Sequence, residues 1–541
     1  MSTQQGNTHI GASFERDADV LVIGGGPAGA WAATSAAAFG ARVVLVDKGY
    51  CGSSGATAPS GTGVWYVAPD AGKREAAMAS REKMGGYLQD RRWMARVLDR
   101  TYESINLIAE WGYPFPTDEQ GQSRRTSLQG PEYMLLMRRR VKESGVTILD
   151  HSPALELLVD DDGAVAGAAG VRRQKGDTWR VRAKAVVIAT GGCAFLSKAL
   201  GCNVLTGDGY LMGAEAGAEL SGMEFSNAYA ISAAFASVTK TLFYNWATFT
   251  YEDGSPIPGA KSQGGRSVIA KVLLTQPVYA QLDKADEPSR PAMRSAQPNF
   301  FVPFDRANID PFTQRFPVTL RLEGTVRGTG GLRIVDDTCA TSVAGLYAAG
   351  DAASRELICG GFTGGGSHNA AWAMSSGFWS GAAAADYASQ APACVGSVRR
   401  VGGVALADGG GREIDAARLT RAVQAEVFPF ERNYFRTGEG LGDSLTRLDA
   451  SWRAARIAAP SAADTVVKAR EAAAMLATAR WMYRSALART ETRGMHKRYD
   501  HLQQDDAQHH YLTVAGLDEI QVSPRPAPAL PAPLPVKEIA A

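Results

Sequence analysis

The chain has 541 residues, of which 45% are hydrophobic and 21% charged, enough to bury a large core and build roughly two to four domains. Its formal net charge is +2, and no run of lysine and arginine is interleaved with aromatics, so no footing for nucleic acid is present. The opening MSTQQGNTHIGASFERDA lacks a basic start followed by an apolar run, and every later apolar stretch is interrupted by charge or glycine, so a cytoplasmic protein with no direct membrane span is expected.

Residues 19–47, DVLVIGGGPAGAWAATSAAAFGARVVLVD, are expected to form a buried strand, a glycine turn, a helix and a second strand ending in a carboxylate. Gly24 permits the tight turn, Gly26 lets backbone N–H groups approach a pyrophosphate, and Gly29 lets the helix pack close to the strand. The helix opens near Pro27 and Ala28, so its positive end faces the phosphates. Asp47, at the end of the second strand, is placed to accept both hydroxyls of a ribose. Residues 181–190, VRAKAVVIAT, read as a strand ending in Gly191 and Gly192, and residues 345–351, GLYAAGD, as a short strand ending in Gly350 and Asp351. Two such strands far apart imply a dinucleotide domain that is interrupted and resumed. The interval at 226–325 begins rich in aromatics, Trp246 among them, and turns rich in Pro, Gln and Gly. Residues 416–488 carry apolar side chains at helical steps and read as an amphipathic bundle, and the final PRPAPALPAPLPVKEIAA as a flexible tail. The six cysteines, at 51, 193, 202, 339, 359 and 394, show no CxxC spacing, so neither a zinc site nor a cysteine-ligated iron–sulfur cluster is expected.

Four further segments gain meaning only together: GSSGATAPSGTG (52–63), LTGDGYLMGAEAGAEL (205–220), GGLRIVDDTCATSVAGLYAAGD (330–351) with GGGSHNAAWA (364–373), and RTETRGMHKRYD (489–500). In this order and spacing the chain resembles the flavoprotein subunits of the succinate dehydrogenase, fumarate reductase and L-aspartate oxidase superfamily, from residue 17 to about 500. Within it the chain is most similar to the adenylylsulfate reductase alpha-subunit branch, whose flavin loop also reads Ser-Gly-Ala and whose late helix also opens Gly-Ser-His.

The resemblance implies an α/β fold in which a Rossmann-like FAD-binding domain is split by an inserted α+β capping domain and followed by a helical domain. The expected divisions are a flexible N-terminus at 1–16, FAD-binding segments at 17–225 and 326–395, the cap at 226–325, the helical domain at 396–505 and a Pro/Ala-rich tail at 506–541. Asp47 would take the adenosine ribose, while Lys48, Ser53, Ser54, Gly55 and Ala56 would run along the pyrophosphate and flavin ring. Thr190 and Gly191 would approach the adenine side, and Asp351 the ribityl chain beside Gly350. Asp208 either contacts the cofactor or caps its helix. Ser367, His368 and Asn369 open a helix whose N–H groups would stabilise charge at flavin N1 and O2.

Departures from the family pattern carry as much weight. The early loop holds no histidine, so the FAD would be non-covalent. Where the dicarboxylate enzymes carry a His-Pro-Thr segment, a histidine before the third Gly-Gly and an Asn-Arg pair in the late helix, this chain reads EFSNAYAIS (224–232), GTVRGTGG (324–331) and GSHNAAWA. Succinate and aspartate are therefore doubtful substrates. His368 is the expected proton shuttle beside the flavin, and Arg266 and Arg327 are candidate clamps for a carboxylate or sulfo group. Arg493, His496 and Arg498 either reach the flavin-side pocket or an electron-transfer partner or, as the favoured expectation, dock the helical domain onto the FAD domain. The resulting expectation is an FAD oxidoreductase for a small anionic substrate under the cap. Its alternatives are a fumarate-reductase-like or desaturating dehydrogenase, and an electron-transfer flavoprotein. The implied partner is a ferredoxin-like iron–sulfur protein.

Overall fold

The computed structural model describes residues 14–118, 120–363, 366–391, 396–406, 413–460 and 465–529. Residues 1–13, Gly364 and Gly365 of the late-helix motif, Cys394 and the tail from residue 530 lie outside the described residues.

The fold is α/β. Its main sheet runs in the order Arg399–Arg400, Ala154–Val159, Val165–Arg172, Asp177–Ile188, Phe14–Ile23, Val43–Val46, Thr147–Leu149. Leu346–Ala348 joins it by pairing with Asp177–Ile188 in parallel, Leu346 opposite Val186, so the two apolar strands read from distant parts of the sequence are neighbours in one sheet. Val20, Leu21 and Val22 are wholly buried, as a strand covered on both faces requires. The Pro27–Ala38 helix and the long Gly366–Gln390 helix lie together over one face. Glycines permit this approach: a Cβ at Gly377 or Gly381 would stand 2.4 Å or 2.2 Å from backbone oxygens of the first helix.

Between Asp177–Ile188 and Leu346–Ala348 lies an antiparallel sheet in the order Ala228–Ala233, Phe316–Gly324, Val278–Gln281, Thr248–Thr250. The Ser289–Ala296 and Pro298–Arg306 helices lie in the same interval, and the aromatic residues of the segment largely form its core. Phe300 is edge-on to Phe243 at 5.1 Å, and Phe304 to Phe316 at 4.7 Å. Trp246 stays partly exposed. The helices Ala416–Val427, Gly438–Arg456 and Val466–Ala488 pack on one another after it.

Two terminal expectations are corrected. The flexible N-terminus assigned to 1–16 gives way by Phe14, because Phe14, Glu15 and Arg16 already pair with Trp179, Arg180 and Val181. The Pro/Ala-rich tail assigned to 506–541 is likewise not all tail: His510–Ala515 and Gln521–Pro526 form a hairpin that pairs with Leu220–Ser221. Tyr511, Leu512, Thr513 and Val514 are buried, and Gly516, at φ +90°, makes the turn.

Candidate functional site

A cavity of about 790 Å³ runs from the glycine turn to the inserted sheet domain, a size suited to a bound small molecule or cofactor. Its first wall is the turn itself. Gly24 has φ +111°, and a Cβ there would meet the Ala189 carbonyl oxygen at 2.3 Å; one at Gly29 would meet the Gly24 oxygen at 1.7 Å. At Gly26 a Cβ would meet nothing within 4 Å, because the position opens into the cavity beside Pro27 and Ala28. That open cradle at a helix N-terminus fits a phosphate group.

Asp47 lies at the next station, its Oδ2 accepting from Gly25 N–H at 2.5 Å and its Oδ1 from Gly49 N–H and the Ser54 hydroxyl, both at 2.7 Å. These bonds hold the carboxylate at the wall. Ser54, Gly55 and Ala56 continue along the cavity, whereas Ser53 is exposed and off the wall, because its N–H closes a turn onto the Tyr50 carbonyl. Thr190 and Gly191 face the cavity from the strand end, and Gly350 and Asp351 from the other parallel strand. Asp351 is tied to Arg355, yet burial outweighs that partner and pushes its carboxyl above the ordinary range. Ser367 and Asn369 present the head of the late helix. The Asn369 amide donates to the Val326 carbonyl at 2.8 Å and leaves Oδ1 buried without a partner, an acceptor suited to a bound cofactor.

Lys48 and Asp208 are both on the wall but bound to each other. Lys48 Nζ lies 2.7 Å from Asp208 and 2.7 Å from Glu471, so the two carboxylates overcome the burial that would otherwise lower its pKa. Asp208 is not a helix cap; Gly207, at φ +83°, holds that position. The Lys48–Glu471 contact joins the end of the second strand to the Val466–Ala488 helix.

The far end is cationic and partly apolar. Lys240, Leu242 and Phe243 come from the inserted domain, and Arg327 from the loop leaving it. Lys240 Nζ donates to the Ala56 carbonyl at 3.0 Å, and Arg327 pairs with buried Glu323 at 3.2 Å. Burial alone would raise the Glu323 pKa, but Arg327 and Lys240 hold it below the usual value. Arg355, wholly buried, donates to the carbonyls of Thr325 at 3.0 Å and Val326 at 3.3 Å, fixing the loop that carries Arg327. Sequence reasoning misses Lys240, a lone lysine without a motif. Arg355 offers a clearer signal, standing four residues after Asp351 at the end of the third motif.

Two of the three expected catalytic residues do not line the cavity. His368 is buried off the cavity wall, its Nδ1 3.1 Å from the Thr363 carbonyl and its ring 4.5 Å from Trp65. Burial, with Arg81 and Arg355 nearby, pulls its pKa down to about 3, so the ring is neutral near pH 7, and its Nε2 is buried without a partner. Arg266 is also off the wall, donating to the carbonyls of Ser262 at 2.8 Å and Tyr229 at 3.2 Å; burial, helped by Arg327, pulls it down to about 10. Arg493, His496 and Arg498 sit away from the cavity in a buried network. Arg493 pairs with Glu491 at 2.6 Å and donates to the Gly86 carbonyl at 2.6 Å, while His496 lies 2.9 Å from Arg436.

Comparison with known proteins matches residues 19–229 to the FAD binding domain family and residues 419–534 to the fumarate reductase flavoprotein C-terminal family. A curated relative, the L-aspartate oxidase of Vibrio cholerae, is 26% identical over 243 residues, 40% of this chain and 45% of that protein. The chain spans under half the length of the first curated relatives it matches. Among solved structures, an E. coli quinol fumarate reductase flavoprotein superposes with a TM-score of 0.79 at 20% identity, covering 95% of this chain and 97% of that one. The adenylylsulfate reductase of Archaeoglobus fulgidus gives 0.75 at 19% identity, covering 96% and 97%. The fold is thus shared with both branches and does not favour the adenylylsulfate reductase one. The chain thus carries an FAD binding domain around the phosphate turn and a fumarate reductase flavoprotein C-terminal region behind it.

Proposed function

We propose that this protein is an FAD-dependent oxidoreductase acting on a small anionic substrate held between the flavin site and the inserted domain, which serves as a cap. The bound flavin supplies the chemistry, exchange of a hydride or an electron pair at N5. One observation carries the reading: a single cavity joins the phosphate cradle at Gly26 to a wall bearing Lys240 and Arg327. Lys240 and Arg327 bind and orient the anion. Glu323 keeps Arg327 in place, and Arg355 fixes its loop. Leu242 and Phe243 shield the same end from water. The described wall carries no histidine, which supports non-covalent FAD.

The Arg327–Lys240 wall also favours a second reading, a fumarate-reductase-like or desaturating dehydrogenase with repositioned cationic groups. A separate iron–sulfur protein is the proposed electron partner. The five described cysteines are buried and free, with burial pushing the Cys202 thiol up to about 11, so none is a ready cluster ligand. The test is anaerobic mixing of the holoprotein with small organic and sulfur anions while flavin absorbance is followed. Reduction or reoxidation by at least one of them supports the enzyme. Exchange with reduced ferredoxin alone would make the chain an electron carrier.

A further inference from the structure

We propose that Arg81 is an anion-binding residue of the substrate cavity, supplying from an early helix the cation that the late helix lacks. The inference rests on the reading of this cavity as a substrate site. Arg81 stands in the last turn of the Ala71–Glu82 helix, outside every motif, and its side chain reaches the cavity wall. Its Nε is buried with no hydrogen-bond partner, and among the described residues no carboxylate pairs with its guanidinium. Arginines close to it in sequence behave differently: Arg74 pairs with Asp99, Arg91 with Glu75 and Glu82, Arg92 with Asp337, and Arg100 with Glu103. Glu82, the adjacent acid, is held 2.7 Å from Arg91 and so is committed elsewhere. A half-buried guanidinium without a counter-charge is costly unless an anion arrives.

The surrounding structure fixes this cation in position. Gln89 Nε2 donates to the Arg81 carbonyl at 2.8 Å, and the segment between them is anchored by the C-terminal region: Arg493 donates to the Gly86 carbonyl at 2.6 Å and the Tyr511 hydroxyl to the Leu88 carbonyl at 2.5 Å. The backbone is pinned while the head group remains available, which reduces the ordering cost of binding. Its field reaches the head of the late helix, where it helps keep His368 neutral. That helix opens Ser367, His368, Asn369, Ala370 and carries no arginine there, so Arg81 brings a positive charge to the same end of the cavity from another element.

The experiment titrates the holoprotein with oxalate, malonate and sulfate at constant ionic strength, reading the dissociation constant from the flavin difference spectrum and the FAD content separately. Arg81→Gln is expected to keep stoichiometric FAD and to weaken the best of these anions by about tenfold or more. Arg81→Lys should recover most of that loss. Unchanged affinity in Arg81→Gln overturns the proposal but leaves the anionic-substrate reading standing. Loss of FAD in Arg81→Gln, or failure of both variants to fold, overturns it by assigning Arg81 to the cofactor or to structure. Absence of any anion effect on the wild-type spectrum overturns the proposal and the anionic-substrate reading together.

Discussion

Gly26 and Gly29, three positions apart around one glycine turn, separate cofactor binding from folding when each is substituted alone. Gly26 has φ −72° and ψ −175°, extended backbone that any residue adopts, and a Cβ there meets nothing within 4 Å. Gly26→Val should therefore fold while its branched side chain fills the space a pyrophosphate needs. Losing two charge-assisted hydrogen bonds at about 1.5–3 kcal/mol each amounts to about 3–6 kcal/mol, or roughly a hundredfold to ten-thousandfold in FAD affinity. Gly29→Ala places its Cβ 1.7 Å from the Gly24 oxygen, a contact no rotamer relieves, so the helix must move away from the strand at a cost of about 3 kcal/mol or more. The assay is the flavin-to-protein absorbance ratio after gel filtration, with circular dichroism melts of both apoproteins. Gly26→Val retaining stoichiometric FAD, or melting as early as Gly29→Ala, would refute the reasoning.

FAD should leave the polypeptide intact on acid or heat denaturation, read as flavin in the supernatant; flavin precipitating with the protein would show a covalent bond. His368, with its pKa pulled from 6.5 to about 3 by burial, binds a proton more readily when the chain is unfolded. Its contribution to stability is complete above about pH 6.5 and is lost as pH falls toward 3, so His368→Gln should flatten the acid side of the Tm profile; an unchanged slope would contradict it. Lys48→Met leaves Asp208 and Glu471 without their shared cation, and a loss of about 3 kcal/mol is expected in denaturant melts, with Asp208→Asn and Glu471→Gln each milder.

The phosphate turn is legible in the sequence because its glycines answer to local geometry: Gly24 needs positive φ, Gly26 needs open space and Gly29 needs close approach, and each requirement shows as a missing side chain at fixed spacing. The interrupted sheet is legible for a similar reason, since two apolar strands each end in glycine. Burial and partner choice are not. His368 sits in a motif, but nothing in GSHNAAWA tells that its ring turns toward Trp65 and the Thr363 carbonyl instead of the cavity. Lys48 reads as free for a phosphate, yet its partner Glu471 stands in a helix near the other end of the chain. Arg81 and Lys240 are ordinary surface residues by composition, and only tertiary packing brings them to one cavity. The C-terminal hairpin is hidden by the prolines that follow it.

One cavity should hold FAD along the glycine turn with its ring against the cationic wall, and a structure of the purified holoprotein tests this most directly. Density is predicted for the pyrophosphate at Gly26, the adenosine ribose on Asp47 and the isoalloxazine between the Ser54–Ala56 loop and the Arg327–Lys240 wall. An isoalloxazine lying away from Arg327 and Lys240, or a pyrophosphate displaced from the Gly26 cradle, would contradict it.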